Sequence, residues 1–530
     1  MTYPDQPRRL KRLWMPLATL LLGGLGAAGI VLADVIEPHV QFFAVALIIL
    51  VTPLLLASWL MFFSGLRWGH RFALLGCAVV LLAGAGFGLS QVLRHEGSVS
   101  GTGVPRFVWA WTPPRAEASL ADLAIGHKGE GAGEVDLSVK EDTNYPQFLG
   151  RDRDGIARGV RLARDWKARP PEELWRQSIG LGWSAFAVVG DYALTQEQRG
   201  DKELVVCYEL KTGKPRWTHE HEVRFRDSQG GDGPRATPTV VGDRVYTAGG
   251  TGILDCIDGR TGKNLWTHDT LAENNLPNLI WGKACSPLVF DDKVIVTGGM
   301  EKGPSLLAYQ KDTGELLWKG GEDGAAYSSP ALATVAGTRQ ILSVNAHSVT
   351  GHDPKSGKVL WSFDWPSDWA KASQPVPLPG DRVFVSAGYG VGCVMLHLTK
   401  NSDGTLSAET LWHNRNMRTQ FSNVVITRNC AFGLDDRWLA CIDLDTGERK
   451  WKGERYEYGQ VLLAGDVLIV QAEKGDVALV EANPDEFKEL GRIPALKNKT
   501  WNNPALAGPY LLVRNDEEAI CFELPLRSER

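Results

Sequence analysis

The sequence predicts an all-β protein, an eight-bladed β-propeller of four-stranded blades, preceded by three transmembrane α-helices. Three observations predict it. A strand–turn–strand unit ending at tryptophan, typified by GILDCIDGRTGKNLW at 252–266, recurs through most of the 530 residues. Its tryptophans are Trp175, Trp217, Trp266, Trp318, Trp361, Trp412 and Trp451, with a degenerate eighth anchor at Leu490; they fall at intervals of roughly 40–50 residues, the length of a blade. Three long apolar runs precede the first unit.

The apolar runs lie at about Leu13–Ala33, Val40–Phe63 and Phe72–Leu93, each near the roughly 20 residues that a spanning helix needs. Val31-Leu32-Ala33 has the look of a signal-peptide cleavage site, but two more runs follow at once, which favours an uncleaved anchor over residues 1–93. Arg8, Arg9, Lys11 and Arg12 precede the first run, and Arg67 and Arg71 separate the second from the third. The first loop carries Asp34 and Glu37 instead. The positive-inside rule therefore predicts a cytoplasmic N-terminus in a bacterial inner membrane, with the rest of the chain on the periplasmic side. The runs contain no Asp, Glu, Lys or Arg, the groups that mark a transport path, so they read as an anchor.

Composition narrows the classes further. A formal net charge of −5 argues against nucleic-acid binding, which calls for a basic face. The 58 glycines and 19 tryptophans suit a many-turned β architecture. Residues 94–143 are rich in Gly, Ala and charge with little periodicity, and read as a flexible linker. The propeller is expected over 144–530. Its first stretch, 143–166, regains aromatic and turn character; Asp152-x-Asp154-Gly155 lacks the spacing and closing Glu of a calcium loop and reads as a turn.

Within each unit a small-residue/Pro start leads into an apolar strand, as in ATPTVV, CSPLVF, SSPALA, SQPVPL and NNPALA. A Gly-containing turn and an alternating strand follow, then a strand carrying Cys or Leu, and Thr-Gly before the Trp strand. A tryptophan at one place in each repeat suits a wedge between neighbouring blades. The last pattern, from Trp501, supplies three strands, while Pro171–Gln177 supplies a lone Trp strand. Together they complete an eighth blade from both ends of the domain.

The recurring D-x-x-TGK-x-x-W blade resembles the pyrroloquinoline quinone (PQQ) repeat of quinoprotein dehydrogenases and of the outer-membrane assembly factor BamB. YPQFLGRDRDG, followed by LWRQ and by GPRATP at 233–238, is similar to the PQQ-like propeller proteins found in planctomycete-type bacteria. The resemblance covers about residues 145–525 and implies the fold. It also implies PQQ with Ca2+ as the cofactor to consider. The adjacent Cys-Cys pair of many quinoprotein alcohol dehydrogenases does not occur here, and their calcium and catalytic aspartates have no aligned counterparts.

Cys207, Cys256, Cys441 and Cys521 share one repeat position, that of a small buried hydrophobe. Cys285, Cys393 and Cys430 are less regular, and no disulfide pairing follows from them. His219 and His221 fall on one strand face, but His268 repeats the position of His219 after Trp-Thr, which assigns them a structural role; no metal site is expected. The site candidates come from propeller geometry, in which the segments entering the innermost strands ring the central channel. Those positions are Trp183, Arg235, Lys283, Tyr327, Gln374, Gln420, Asn502 and Asn503. Glu197, Arg199, Asn345 and Asp435, on loops between second and third strands, are candidates for the same mouth. No catalytic residue is identified.

Two functions follow. The first is a non-enzymatic binding or scaffold module, anchored in the membrane and serving a protein or envelope component. The second is a PQQ-dependent oxidoreductase of the alcohol or sugar dehydrogenase type, feeding electrons to membrane quinone.

Overall fold

The computed structural model describes residues 14–32, 38–99, 104–112, 120–123, 135–300 and 303–527. It divides into two compact units, Met1–Ala116 with Asp227–Gly230, and Glu117–Arg226 with Gly231–Arg530.

The first unit contains helices α1 (Trp14–Leu32), α2 (Pro38–Phe62) and α3 (Trp68–Val92). All three are long and apolar enough to cross a membrane, and their surfaces are exposed on the protein itself. Pro53 lies inside α2, a position tolerated in membrane helices. Leu13, Ala33, the four basic residues before α1, and Asp34 and Glu37 lie outside the described residues. The segment expected to be a linker is structured in three places, one of them the short 3-10 helix Leu120–Leu123, whose Leu123 is buried. Leu93–Val99 pairs with Val104–Trp109 as an antiparallel hairpin. In the second unit, Val135 and Leu137 are buried in one cluster with Ala187, Val205, Trp217 and Ile257.

The second unit is an eight-bladed β-propeller. Its blades occupy 187–221, 239–269, 288–320, 331–364, 376–414, 425–455 and 460–494, numbered 1 to 7. Blade 8 consists of 505–523 completed by Glu172–Ser178, which pairs antiparallel with Glu518–Glu523. The expected closure from both ends is therefore present. Blade 7 gains a fifth strand, because Ile156–Ala157 pairs in parallel with Leu463–Ala464.

The repeat motif has a packing cause. The Nε1 of Trp175, Trp217, Trp266, Trp412 and Trp451 donates to Leu210, Gly259, Lys311, Leu444 and Asn483 carbonyls at 2.8–3.0 Å, each time in the next blade. The Thr-Gly turn of that next blade lies under the same indole. Gly262 has φ 72°, and a Cβ there would stand 2.8 Å from Trp217 Cε3. Gly447 stands likewise against Trp412, with φ 71°. These glycines are required both by turn geometry and by the wedge.

The repeat-equivalent cysteines face those tryptophans in register: Cys207 opposite Trp217, Cys256 opposite Trp266, Cys441 opposite Trp451 and Cys521 opposite Trp175. Ala308 fills the position opposite Trp318. All eight cysteines of the chain are free thiols. Burial raises the pKa of Cys521 to about 12, so it behaves as an inert core residue.

Candidate functional site at the channel mouth

In an up-and-down blade, the segments entering the innermost strands and the loops joining second to third strands emerge on the same face. Trp183, Arg235, Lys283, Tyr327, Gln374, Gln420, Asn502 and Asn503 all lie just ahead of innermost strands and so ring one end of the channel.

The chain itself closes the other end. Tyr145 bridges Val188 of blade 1, the Pro146 carbonyl accepts from Val240 N of blade 2 at 2.9 Å, and Ile156–Ala157 extends blade 7. Between these attachments Arg153, at φ 56°, directs its guanidinium into the propeller. It donates to the Pro287 and Ser286 carbonyls, which lead into blade 3, at 3.1 and 3.3 Å, and to Gln374 Oε1, which leads into blade 5, at 3.4 Å. Blades 3 and 5 are separated by blade 4, so a side chain bonded to both lies at the inner edge of the ring, in the channel. Burial lowers the Arg153 pKa to about 10, still leaving the group cationic at neutral pH.

The candidates divide by what they touch. Gln374 returns a hydrogen bond from Nε2 to the Arg153 carbonyl at 2.7 Å and belongs to the plug. Lys283 is buried, and its ammonium donates to the Thr297 carbonyl, Thr297 Oγ1 and the Gly298 carbonyl. Burial lowers its pKa to about 8. The Arg235 guanidinium lies over the Phe225 ring at 4.4 Å and donates to the Gly231 and Gly233 carbonyls. Asn502 Nδ2 donates to the Gly182 and Ser184 carbonyls, while its Oδ1 accepts no hydrogen bond among the described residues. Gln420 is buried and Asn503 half-buried. Tyr327 packs against Trp281 with ring centroids 5.5 Å apart and planes tilted by 40°, and its hydroxyl accepts from Trp281 N at 3.2 Å.

Trp183 belongs to a larger assembly. It contacts Trp501 at 4.9 Å, Trp501 contacts Phe421 at 4.8 Å, Phe421 contacts Tyr389 at 6.4 Å, and Tyr389 stacks on Trp369 at 5.1 Å, all between ring centroids. Lys499 places its ammonium 4.2 Å from the Trp501 ring and 4.9 Å from that of Trp183. Trp501 is oriented by its Nε1, which donates to buried Glu473 at 2.8 Å. Sequence reasoning missed Trp501, Phe421, Glu473 and Arg153. Aligning WSAF, RATP, YSSP, FSNV and WNNP puts Trp183, Arg235, Tyr327, Phe421 and Trp501 in one column, a signal that was present in the repeats.

The loop candidates are occupied internally. Glu197 accepts from Gly180 N at 2.6 Å, Tyr208 OH at 2.8 Å and the Arg199 guanidinium, with both Glu197 and Arg199 fully buried. Asp435 receives Arg418, Arg449 and Lys452 at 2.8–3.1 Å. Asn345 bonds Ser343, Ser348 and Thr350.

A family model described as outer membrane protein assembly factor BamB matches residues 167–276 and 287–485, more than half of the chain. The chain belongs to this family. Among solved structures, quinohemoprotein alcohol dehydrogenase from Comamonas testosteroni is 13% identical with a TM-score of 0.54, over 73% of this chain and 81% of that one. A europium-containing methanol dehydrogenase is 12% identical with a TM-score of 0.53, over 73% and 99%. BamB from Moraxella catarrhalis is 15% identical with a TM-score of 0.48, over 67% and 100%. No curated protein matches the chain in sequence. At these identities the structural likeness is one of fold.

The PQQ and calcium ion that the repeat resemblance implies can be tested against the side chains present. Calcium needs several oxygen ligands, carboxylates above all. On the mouth side Glu197, Asp435 and Glu473 are each engaged by internal donors. Lys283, the buried cation of the rim, is spent on backbone carbonyls. This donor set does not fit the quinone–calcium pair.

Proposed function

We propose that the protein is a membrane-anchored binding module of the bacterial envelope, which holds a segment of a partner protein at its channel mouth. The observation that supports this most is the continuous aromatic path Trp183–Trp501–Phe421–Tyr389–Trp369, with Lys499 over its first two rings. Aromatic side chains bury large areas at low entropic cost and dominate protein recognition surfaces. Trp369, at 48% exposure, offers the outer end of the path to a partner. Family membership and three apolar helices agree with a tethered propeller. Arg67, just before α3, and Arg71, in its first turn, favour a cytoplasmic α2–α3 loop and a periplasmic propeller.

Photocrosslinking tests the reading. A benzoylphenylalanine at Trp369, on the full-length protein in its native membrane, is expected to give one dominant protein adduct. The same probe at Asp445, in a turn on the opposite face, is expected to give none. Trp501→Ala should lower the Trp369 adduct several-fold. Dye-linked oxidation of an alcohol or sugar by the protein loaded with PQQ and Ca2+ would instead establish the oxidoreductase.

A further inference from the structure

His219 and His221 lie on the outer strand of blade 1, and the structure gives them a third partner that the repeat pattern does not foreshadow. Asp255, on the third strand of blade 2, turns its carboxylate toward both rings across the blade seam. The three ligand atoms lie within 4.8 Å of one another. His219 Nε2 and His221 Nε2 are 3.2 Å apart, His221 Nε2 is 2.9 Å from Asp255 Oδ2, and His219 Nε2 is 3.8 Å from the same oxygen. We propose that His219, His221 and Asp255 form a site for a divalent first-row transition metal of the zinc class, clamping blade 1 to blade 2.

The distances are those of a coordination shell. Nitrogen and oxygen ligands about 2.0–2.2 Å from a tetrahedral ion stand about 3.3–3.5 Å from each other, and the three measured separations bracket that edge. Two imidazole Nε2 atoms facing each other and a carboxylate place three lone-pair donors on one point. A cation satisfies all three at once, whereas one shared proton satisfies two. The rings meet nearly at right angles, 85° between planes, as ligands at different vertices do. Thr267 Oγ1 donates to Asp255 Oδ1 at 2.6 Å and so fixes the carboxylate, whose Oδ2 and Oδ1 stand 2.9 and 3.1 Å from His221 Nε2. Glu203, buried and in register with His221, adds a second carboxyl group beside the cluster. The Asp255 side chain is 4% exposed and that of His221 25%, so the site is walled by protein and open on one side to a water or a fourth ligand.

The trio departs from the repeat. The position of Asp255 is held by Val206 in blade 1 and Leu307 in blade 3, one residue before Cys207 and Ala308. His268 occupies the position of His219 in blade 2, yet the residue two further on is Thr270, and the His268 ring turns to Glu273 instead. An aspartate buried where its neighbours carry Val and Leu, opposite the strand's His-x-His, requires an explanation that blade packing does not supply. Imidazole nitrogens with one carboxylate suit zinc, cobalt, nickel or copper and not calcium or magnesium. The expectation of no metal site rested on His268 and lacked Asp255, which comes from a different blade.

The test uses the full chain in detergent, stripped with a chelator and titrated with Co2+ and with Zn2+. One Co2+ per chain is expected, with intense visible bands of tetrahedral or five-coordinate geometry that Zn2+ displaces. His221→Ala and Asp255→Asn should each weaken Zn2+ at least tenfold, and Thr267→Val should weaken it less, while His268→Ala leaves it unchanged. Asp255→Asn preserves shape, so a folded Asp255→Asn protein that retains wild-type metal affinity would overturn the proposal. So would a stripped wild-type protein that binds neither ion at micromolar concentration, or Co2+ bands that survive in both His221→Ala and Asp255→Asn.

Discussion

Arg153 and Gln374 exchange two hydrogen bonds across 221 residues of chain: Arg153 Nε donates to Gln374 Oε1 at 3.4 Å, and Gln374 Nε2 donates to the Arg153 carbonyl at 2.7 Å. The pair ties the segment that enters the propeller to blade 5, on the far side of the channel from its attachment at Val240.

Arg153→Ala removes a buried guanidinium and leaves the Ser286 and Pro287 carbonyls and the Gln374 amide without their donor. The expected cost is about 2–4 kcal/mol, read as a lowered urea midpoint. Gln374→Ala alone should cost less, and the double variant should cost less than the sum of the two, because both changes remove the same Nε–Oε1 bond while the bond from Gln374 Nε2 to the Arg153 carbonyl is lost only with Gln374. Additive losses would show that the two residues act separately.

Gly262→Ala tests the blade wedge. At φ 72° an L-residue costs about 1 kcal/mol, and the new Cβ would stand 2.8 Å from the Trp217 ring. Gly200 has φ 56° with nothing within 4 Å of the point where a methyl group would stand, so Gly200→Ala carries the backbone cost alone. The expected order of thermal midpoints is wild type, Gly200→Ala, then Gly262→Ala. Equal midpoints for the two variants would remove the wedge from the account of the motif.

Much of the architecture was legible because a repeat states its grammar several times. Trp217, Gly262 and Cys256 recur with their neighbours, and the closure by Trp175 followed from an unpaired strand at each end. The site was less legible, because its decisive contacts are single events between distant positions. Arg153 reads as one turn arginine among several, and nothing local connects it to Ser286 or Gln374. Asp255 is invisible as a partner of His221 until the seam between two blades is built. Topology sets the rim candidates ahead of the innermost strands, but it does not distinguish Lys283, whose ammonium turns inward to carbonyls, from Trp183, which joins the aromatic path.

Lys283 predicts the pH dependence of stability. Its folded pKa, lowered to about 8 by burial, lies below the unfolded value of 10.5. Between these values the unfolded chain binds more protons than the folded one, so stability rises with pH from about 8 to 10.5 and is flat in this contribution below 8. Lys371, also lowered to about 8 by burial, acts in the same direction. The buried cysteines and tyrosines, whose pKa values burial raises, pull the other way in wild type and variant alike, so the contribution is read as a difference: urea midpoints of wild type should gain on those of Lys283→Met as pH rises through this window. A difference between the two proteins that stays constant or shrinks from pH 8 to 10.5 would contradict the assignment.

The ring seam gives the last prediction. Arg514 of blade 8 crosses to blade 1, donating to Thr195 Oγ1 at 2.7 Å, the Gln196 carbonyl at 2.9 Å and the Gly180 carbonyl at 2.8 Å. Beside it Glu197 accepts from Gly180 N, so one short segment is gripped by an acid and a base at once. Blade 8 has its outer strand supplied from before blade 1, and this grip fixes the geometry at which the two ends meet. Arg514→Met keeps the length of the stem but removes all three donors, leaving three buried acceptors without them. The expected loss is about 2–4 kcal/mol. Hydrogen exchange should locate it at the seam: amides of Glu172–Ser178, 187–221 and 505–523 should lose protection first, while blades 3 to 5 keep theirs. A uniform loss around the ring would mean that the blades unfold as one cooperative unit and that the seam has no weakness of its own.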